Sequence, residues 1–301
     1  MNNLETTQLG RTGITVTRLS AGGHFTNGPT AHEDIPRRVA EINHLIDRGI
    51  TYHDVQWDPE EVAMAEVLKT RSKEITVAWP LHGVTARGGD VTAQYVIDYC
   101  NDHRARYGID HVDILLWIAL EIQPETQDKA VGEVRKGFEA LKQDGFCDLL
   151  GFSCHHSPEM AVRAISSFDN FSVIMFPYGP LNQAAGRELI PLAKSKGIGT
   201  AAMKPFWGGA GLFNRVYSGE IEAPELAAYR GSGRPYKAAI RWVLANQDLY
   251  CAVPGMHSIQ EIDELIAASS EAISDEDNAI LELYNEVLKE KSGEGGLGAW
   301  S

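Results

Sequence analysis

The chain has 301 residues, of which 44% are hydrophobic and 23% charged, and these are ordinary values for a folded globular protein. They exclude wholesale disorder and leave room for either two modest domains or one large α/β domain. The formal net charge of −14, from 41 acidic against 27 basic residues, favours solubility and argues against nucleic acid as a partner, because phosphate binding requires a basic surface.

The N-terminal run MNNLETTQLGRTG lacks the basic-then-apolar pattern of a signal peptide, and no apolar run reaches the roughly 18 residues of a membrane span. Cys100, Cys147, Cys154 and Cys251 lie far apart with no CxxC pair, so their spacing encodes neither a disulfide framework nor a thiolate metal site. We therefore expect a cytoplasmic protein that does not contact membranes.

The predicted elements alternate between short apolar or β-branched runs and longer helical patterns, which is typical of repeated βα units and a parallel sheet. The first run, ETTQLGRTGITVTRLS, predicts two short strands around a glycine-containing turn, placed where a hairpin plugs the bottom of a barrel. Glycines end the predicted helices over 35–49 and 91–108, as C-caps do. Eight further strands are predicted over 19–24, 51–55, 75–80, 112–120, 149–155, 173–178, 199–205 and 250–256.

Eight βα units in a chain of this length predict one closed (β/α)₈ TIM barrel, an α/β fold that forms a single domain over residues 1–301. In such a barrel the catalytic groups lie at the carboxyl ends of the strands. The segment over 208–236 is rich in glycine and aromatic residues and is the most irregular. It predicts either a lid or binding loop on the functional face or an inert insertion.

Several runs taken together resemble the aldo-keto reductase family, and their order and spacing carry the resemblance more than any single run. They are LGRTGITVTRLSAGG, GITYHDVQW, DHVDILL, GFSCHHSPEMAVRAI, VIMFPYGPLN, LIPLAKSKGIGTAAMKPFWGGA and AVPGMHSIQEIDELIAA. The resemblance covers nearly the whole chain and is to a bacterial branch that often carries iron–sulfur cysteines after the last helices, an extension we expect to be absent here. It implies a barrel enzyme that reduces carbonyl compounds with NADPH.

The family's reduction uses a tyrosine as proton donor, tuned by a lysine, an aspartate and a histidine. The resemblance places only the aspartate in this chain, as Asp54. It places Trp57 where the tyrosine belongs, Pro80 in place of the lysine and Ile118 in place of the histidine. None of these three side chains has a proton of useful acidity, so we expect the catalytic tetrad to be largely replaced.

The positions that hold the family's cofactor are altered as well. The resemblance matches Ser153 to the serine that holds the nicotinamide amide, and Gly208 and Gly209 to the loop that passes the pyrophosphate. It places His257 and Glu261 where cationic residues usually bind the adenosine 2′-phosphate, which a carboxylate repels. We therefore expect no cofactor, with NAD(P) as the alternative.

Ionisable residues follow most of the predicted strands, at the end where a barrel carries its chemistry. Histidine titrates near neutral pH, and a lysine among apolar neighbours loses its proton more readily than usual. The candidates for catalysis are Asp54, His24, His82, His155 and Lys204. The candidates for substrate binding are Trp57, Trp79, Glu121, His156, Tyr178 and Trp207.

These candidates also have ordinary structural interpretations. Asp54 is either catalytic or a carboxylate that the fold retains for bonds to the backbone, and Lys204 is either a proton carrier or one half of an ion pair. The aromatic side chains either stack on a substrate or simply pack. His24, Asp54, His82 and His155 have the chemistry of metal ligands, but no HxxxH or HxH spacing marks a chelate, so we predict no metal site.

Three functions remain open for a small-molecule substrate. The first is a non-redox enzyme, an isomerase or lyase that moves a proton next to a carbonyl or hydroxyl group of a small polar or sugar-like compound. The second is an atypical NAD(P)-dependent aldo/keto oxidoreductase that uses a different acid, His82 or Tyr178. The third is a catalytically silent barrel that binds a metabolite or a protein. We favour the first, because ionisable groups gather around a dismantled reduction site; the oligomeric state does not follow from the sequence.

Overall fold

A computed structural model describes residues 4–23, 34–56, 58–82, 91–119, 126–155, 157–206 and 211–292 of the chain. The strands begin with an antiparallel hairpin, β1 (Thr6–Gln8) and β2 (Thr15–Thr17). The sheet that follows contains β3 (Ala21–Gly22), β4 (Tyr52–Asp54), β5 (Thr76–Leu81), β6 (Val112–Ala119), β7 (Cys147–Cys154), β8 (Val173–Pro177), β9 (Gly199–Met203) and β10 (Cys251–Val253).

Helices connect the strands of the sheet and surround it. Within the described residues they are α1 (Ile35–Asp47), α2 (Asp58–Arg71), α3 (Ala93–Tyr107), α4 (Gln127–Gln143), α5 (Pro158–Ser167), α6 (Leu189–Lys196), α7 (Leu212–Ser218), α8 (Arg234–Ala245), α9 (Ile259–Ser269) and α10 (Asp275–Lys291).

The eight strands lie in chain order around the sheet, and each pairs in parallel with the next. The sheet closes on itself between β10 and β3, where bridges join Leu19 to Ala252 and Gly22 to Gly255. At this seam a Cβ on Gly22 would lie 2.5 Å from the carbonyl oxygen of Val253, so the close approach of the two strands requires glycine. The predicted (β/α)₈ barrel is confirmed.

The N-terminal hairpin packs against the barrel interior, as predicted. Leu9 and Val16 are fully buried in the same apolar cluster as side chains from the barrel strands. Gly10 turns with φ +58, and a Cβ there would lie 2.4 Å from the carbonyl oxygen of Gly197, which precedes β9. The backbone N–H of Arg11 donates to that same oxygen at 2.8 Å, so the turn is fixed to the barrel by its backbone.

Side chains along each strand alternate between the barrel interior and the helix layer. On β4, Tyr52 belongs to the interior cluster, whereas His53 contacts Glu60 of α2 in the helix layer. Asp54 therefore turns inward, as the sequence predicts, and lines the cavity at the barrel mouth. On each strand, only the last inward-facing side chain reaches the mouth.

Glycine ends both helices for which the sequence predicts a glycine cap. Gly49, two residues after α1, has φ +93, and Gly108, directly after α3, has φ +66. The α3 helix begins at Ala93 rather than at 91, because the Thr92 hydroxyl accepts a hydrogen bond from Tyr95 N–H at 3.2 Å and so caps the helix.

Of the segment over 208–236, the structure describes residues 211–236, which contain more regular structure than the sequence predicts. Residues 207–210 lie outside the described part, but α7 follows, and then a short 3-10 helix over Pro224–Tyr229. Phe213 of α7 stacks on Tyr284 of α10 with ring centroids 4.8 Å apart. Because glycines flank α7 at both ends, the sequence pattern does not predict this helix. Burial of its apolar face against α10 stabilises it.

Candidate active site

The carboxyl ends of the strands open into a cavity of about 700 Å³. Its inner part lies over the barrel centre, where Asp54 and Ile118 line it, and its outer part reaches the starts of α8 and α9. His82, His155 and Lys204 also line the cavity. The structure thus brings together four of the five catalytic candidates, and the fifth, His24, lies outside the described residues.

Asp54 ends β4 with only 4% of its surface exposed. Gln56 Nε2 donates to Asp54 Oδ2 at 2.7 Å, and within the described part of the chain Oδ1 has no hydrogen-bond partner. Burial raises the pKa of Asp54 well above its ordinary value, and the hydrogen bond from Gln56 only partly opposes this. Such a carboxyl group is suited to donating and accepting a proton.

Lys204 and His155 form a pair across the mouth, although 49 positions separate them in the sequence. Lys204 follows β9 and His155 follows β7, so the pair bridges the end of the intervening strand β8. Lys204 Nζ lies 3.0 Å from His155 Nδ1, and His155 Nε2 lies 3.2 Å from the hydroxyl oxygen of Ser153. The imidazole is therefore held at both ring nitrogens, and burial lowers the pKa of Lys204.

His82 follows β5 on the other side of the cavity. Its backbone N–H donates to the hydroxyl oxygen of Tyr99 at 3.2 Å, which ties this strand end to α3. Burial, together with the nearby charge of His103, lowers the pKa of His82 to about 4. At neutral pH this imidazole is therefore uncharged, and it acts as a base or hydrogen-bonding group rather than as a cation.

Trp79 and Tyr178, two candidates for substrate stacking, do not lie at the mouth. Trp79 is 1% exposed in the helix layer, where its indole N–H donates to His103 Nδ1 at 3.3 Å. Tyr178 packs on Trp242 of α8, and its hydroxyl accepts a hydrogen bond from Asn246 at 3.0 Å. Strand alternation directs Trp79 away from the interior, and neither side chain lines the cavity where the sequence predicts that they bind substrate.

The remaining candidates lie outside the described residues and stay predictions from the sequence: Trp57, Glu121, His156, Trp207, Gly208 and Gly209.

Several cavity residues were missed by the sequence analysis. Gln56 stands two positions after Asp54, and this spacing was a signal that could have been used. Asn214, Tyr217 and Tyr236 line the outer part of the cavity, where Tyr236 donates to Asn214 Oδ1 at 3.1 Å. They come from α7 and α8, beyond the strand ends, and nothing local in the sequence marks them.

A carboxylate lies at the outer part of the cavity, at the start of α9. The hydroxyl of Ser258 accepts a hydrogen bond from Glu261 N–H at 3.1 Å at the start of α9, and Glu261 Oε2 accepts one from His257 N–H at 2.9 Å. A carboxylate thus occupies the helix N-terminus, where a phosphate would otherwise find free donors. Across the cavity, Lys237 is already paired with Glu264 at 3.1 Å.

Two further observations concern cations and membranes. Among the residues that the structure describes, no group of three or more His, Cys, Asp or Glu side chains is placed to hold a metal ion. In the same part of the chain, no helix is both long enough and apolar enough to cross a membrane.

Comparison with known proteins finds the same architecture and assigns the chain to a family. L-galactose dehydrogenase of Arabidopsis thaliana is 24% identical over 90% of both chains, and the NADH-specific methylglyoxal reductase of Escherichia coli (strain K12) is 22% identical over 93% of this chain and 98% of its own. The holo form of an aldo-keto reductase from Bacillus halodurans superposes with a TM-score of 0.67 at 19% identity, covering 93% of this chain and 96% of that one. The model of the aldo/keto reductase family matches residues 22–286. The chain therefore belongs to the aldo/keto reductase family.

Proposed function

We propose that this chain is a non-redox enzyme of the aldo/keto reductase family, an isomerase or lyase that moves a proton on a small polar carbonyl or sugar-like compound. One observation carries the proposal: Lys204 and His155 lie 3.0 Å apart at the mouth of a cavity that Asp54 also lines. This arrangement offers a nitrogen base and a carboxyl group to one bound substrate.

The replacement of the reduction machinery that the sequence predicts supports the same proposal. Pro80 lies within β5 and pairs with Leu116, and Ile118 lines the cavity beside Asp54. By the resemblance these two residues replace a lysine and a histidine, and neither can transfer a proton. Glu261 at the start of α9 adds a charge that disfavours the phosphates of NADPH.

In the proposed reaction His155 is the general base and Asp54 is the general acid. His155 removes a proton from the carbon next to the carbonyl group, and the raised pKa of Asp54 lets this carboxyl group protonate the oxygen as charge develops on it. Ser153, at Nε2, fixes the orientation of the imidazole, and Nδ1, on the side of Lys204, carries the lone pair that takes the proton.

The second candidate is NAD(P)-dependent reduction, and the names of the relatives favour it. Two proteins that align over at least nine tenths of this chain are named as a dehydrogenase and an NADH-specific reductase. Reduction needs a replacement proton donor. His82 is a poor one, because its pKa of about 4 leaves little imidazolium at pH 7, and Tyr178 packs away from the cavity.

A cytoplasmic location is part of the proposal. All four cysteines, Cys100, Cys147, Cys154 and Cys251, are buried, and none of them forms a disulfide bond. Buried thiols of this kind suit a reducing compartment.

Two measurements on the purified chain separate the candidates. Incubation with dihydroxyacetone or glyceraldehyde in D₂O, followed by NMR, reports exchange of the proton next to the carbonyl group; calorimetric titration with NADH and with NADPH reports nucleotide binding. We expect exchange without added nucleotide, and no binding at millimolar NADH or NADPH. Micromolar binding together with nucleotide-dependent reduction, in the absence of exchange, would overturn the proposal in favour of the oxidoreductase.

Variants connect the exchange to the site. His155→Gln and Asp54→Asn should each slow exchange by roughly 10²-fold or more, the usual contribution of a general acid or base. His44→Gln is the matched control, because His44 pairs with Asp263 at 2.9 Å between α1 and α9 and does not line the cavity. Equal rates in all three variants would contradict the assignment of the site.

A further inference from the structure

Lys204 has an unusual backbone conformation. Among the described residues it is the only non-glycine residue with a positive φ, at +55. It also precedes Pro205, and a residue before proline is normally pushed toward extended conformations. Conformations of this kind persist only where the surrounding structure enforces them, and they cluster at active sites.

The surrounding structure holds this backbone from two sides. The side chain of Asn182 is almost fully buried, and its Nδ2 donates to the carbonyl oxygen of Lys204 at 3.3 Å. Pro205 packs so closely on Gly179 that a Cβ on that glycine would lie 2.5 Å from the proline carbonyl oxygen. The loop after β8 therefore contacts the end of β9 on both sides and fixes the backbone position of Lys204.

The Lys204 amine lies in an environment that favours its neutral, nucleophilic form. The side chain lines the mouth cavity together with Met203 and Phe206, and its burial lowers the pKa of the amine. His155 lies 3.0 Å away, within reach for taking up or returning a proton. Lys237 lines the same cavity but its amine is engaged in an ion pair with the carboxylate of Glu264 at 3.1 Å.

We propose that Lys204 is a covalent catalyst that forms a Schiff base with the carbonyl carbon of the substrate. This inference rests on the proposed function and deepens it, because it restricts the substrate to aldehydes and ketones that carry a hydrogen on the neighbouring carbon. The strained position of the lysine at a strand end, the adjoining imidazole and the apolar neighbours Met203 and Phe206 are what a reactive amine requires.

The chemistry balances without an outside oxidant or reductant. The Nζ lone pair forms a bond to the carbonyl carbon, and the resulting carbinolamine takes up one proton and loses water, which leaves a protonated imine. His155 then takes the proton from the neighbouring carbon, and the C–H electron pair forms the carbon–carbon double bond of an enamine as the imine nitrogen becomes neutral. Return of the proton to the carbon framework and addition of water release the product and the free amine.

The test is reductive trapping, which does not depend on turnover. The chain is incubated separately with dihydroxyacetone, glyceraldehyde and pyruvate, each with sodium borohydride, and is then digested for peptide mass mapping. We expect the peptide that carries Lys204 to gain the mass of the probe less one oxygen atom. The adduct should form in the wild type and in Lys237→Met, and should be absent from Lys204→Met and from samples without borohydride.

The outcomes separate this inference from the proposed function. Proton exchange in D₂O without any labelling of Lys204 above the level at Lys237 would overturn the Schiff base and leave the proposed function standing. Labelling of Lys204 without exchange would support the nucleophile and contradict the proton transfer. Labelling spread equally over surface lysines would also overturn the Schiff base, and this arm uses only the wild-type chain.

Discussion

The backbone strain at Lys204 can be measured apart from its chemistry. A left-handed conformation costs an ordinary L-residue about 1–2 kcal/mol, a cost that glycine does not have. Because φ at this position is +55, we expect Lys204→Gly to be more stable than Lys204→Ala by about 1 kcal/mol. Urea unfolding of the two variants measures the difference. Both lack the amine, so equal stabilities would show that the conformation is not strained.

Asp54 predicts a pH dependence of stability. Burial raises the pKa of this carboxyl group in the folded state, so as the pH rises above its ordinary value of 3.8 the unfolded chain releases the proton first. This difference destabilises the fold increasingly until the pH reaches the raised pKa. We expect Asp54→Asn to remove the penalty and to be more stable than the wild type at pH 7, with an advantage that shrinks toward pH 4.

Urea unfolding at both pH values tests the Asp54 prediction. Asp148→Asn is the control, since Asp148 is a mostly exposed carboxylate whose side chain is 68% exposed. An Asp54→Asn variant that gains nothing at pH 7, or whose gain does not change with pH, would contradict the burial of an uncompensated carboxyl group.

At single positions the sequence predicted what strand alternation controls and missed what long-range packing controls. Asp54 ends β4 and Lys204 follows β9, and the carboxyl ends of barrel strands meet at the mouth. The 3.0 Å contact between Lys204 and His155 depends on the backbone conformation of Lys204, whose φ is +55. No local sequence pattern predicts that conformation. Trp79 was expected at the mouth because of its chemistry, although its place in the alternation directs it to the helix layer.

At the scale of elements, a buried ion network joins the first two helices to the mouth. Glu60 of α2 accepts hydrogen bonds from Arg38 of α1 at 2.8 and 3.0 Å and lies 2.7 Å from His53 of β4. The guanidinium of Arg38 also donates to the carbonyl oxygen of Met256 at 2.8 Å. The network therefore holds the loop after β10 that brings His257 to the cavity.

Removing the carboxylate of this network should be costly. Burial alone would raise the pKa of Glu60, but the charge of Arg38 and the hydrogen bond with His53 outweigh it and lower the pKa to about 2. Glu60→Ala removes two hydrogen bonds of the buried Arg38 and leaves Glu41, at 3.1 Å, as its carboxylate partner. We expect a loss of about 3 kcal/mol in unfolding free energy at pH 7, the lower end of the range for a broken buried pair. This contribution is complete above the ordinary pKa of 4.5 and is lost as the pH falls toward 2.

Urea unfolding at pH 7 and pH 3 checks the Glu60 prediction. Glu66→Ala is the matched control on the same helix, because Glu66 pairs with Lys69 where both side chains are more than half exposed, and such pairs contribute little. A similar small effect of both substitutions would show that the network does not stabilise the fold.

Element types were easier to predict than element bounds. Apolar periodicity identified the barrel strands, but β3 and β10 are only Ala21–Gly22 and Cys251–Val253, because ladder pairing stops where the two strands meet at the seam. The helix α7 was missed because its stability comes from burial against α10 rather than from its own sequence.

For the whole molecule, the residues of the site are correctly positioned only if the barrel sheet closes between β10 and β3. Asp54 lies on β4 and His257 follows β10, so the wall of the cavity between them crosses the seam between β3 and β10. The seam is held by backbone contacts, including the N–H of Ala252, which donates to the carbonyl oxygen of Arg18 at 2.8 Å. Closure of the sheet and geometry of the mouth are therefore coupled.

Gly22→Ala tests that coupling. The new Cβ would lie 2.5 Å from the carbonyl oxygen of Val253, a backbone atom that cannot move without opening the seam, so we expect a loss of about 2 kcal/mol. Gly132→Ala in α4 is the control, because a Cβ there meets nothing within 4 Å and alanine stabilises a helix by up to about 1 kcal/mol over glycine. Hydrogen exchange should speed up at the Ala252 amide in Gly22→Ala and not in Gly132→Ala. If Gly22→Ala is destabilised but exchange at the Ala252 amide is unchanged, the substitution has not opened the seam. Closure of the barrel and geometry of the mouth would then not be coupled.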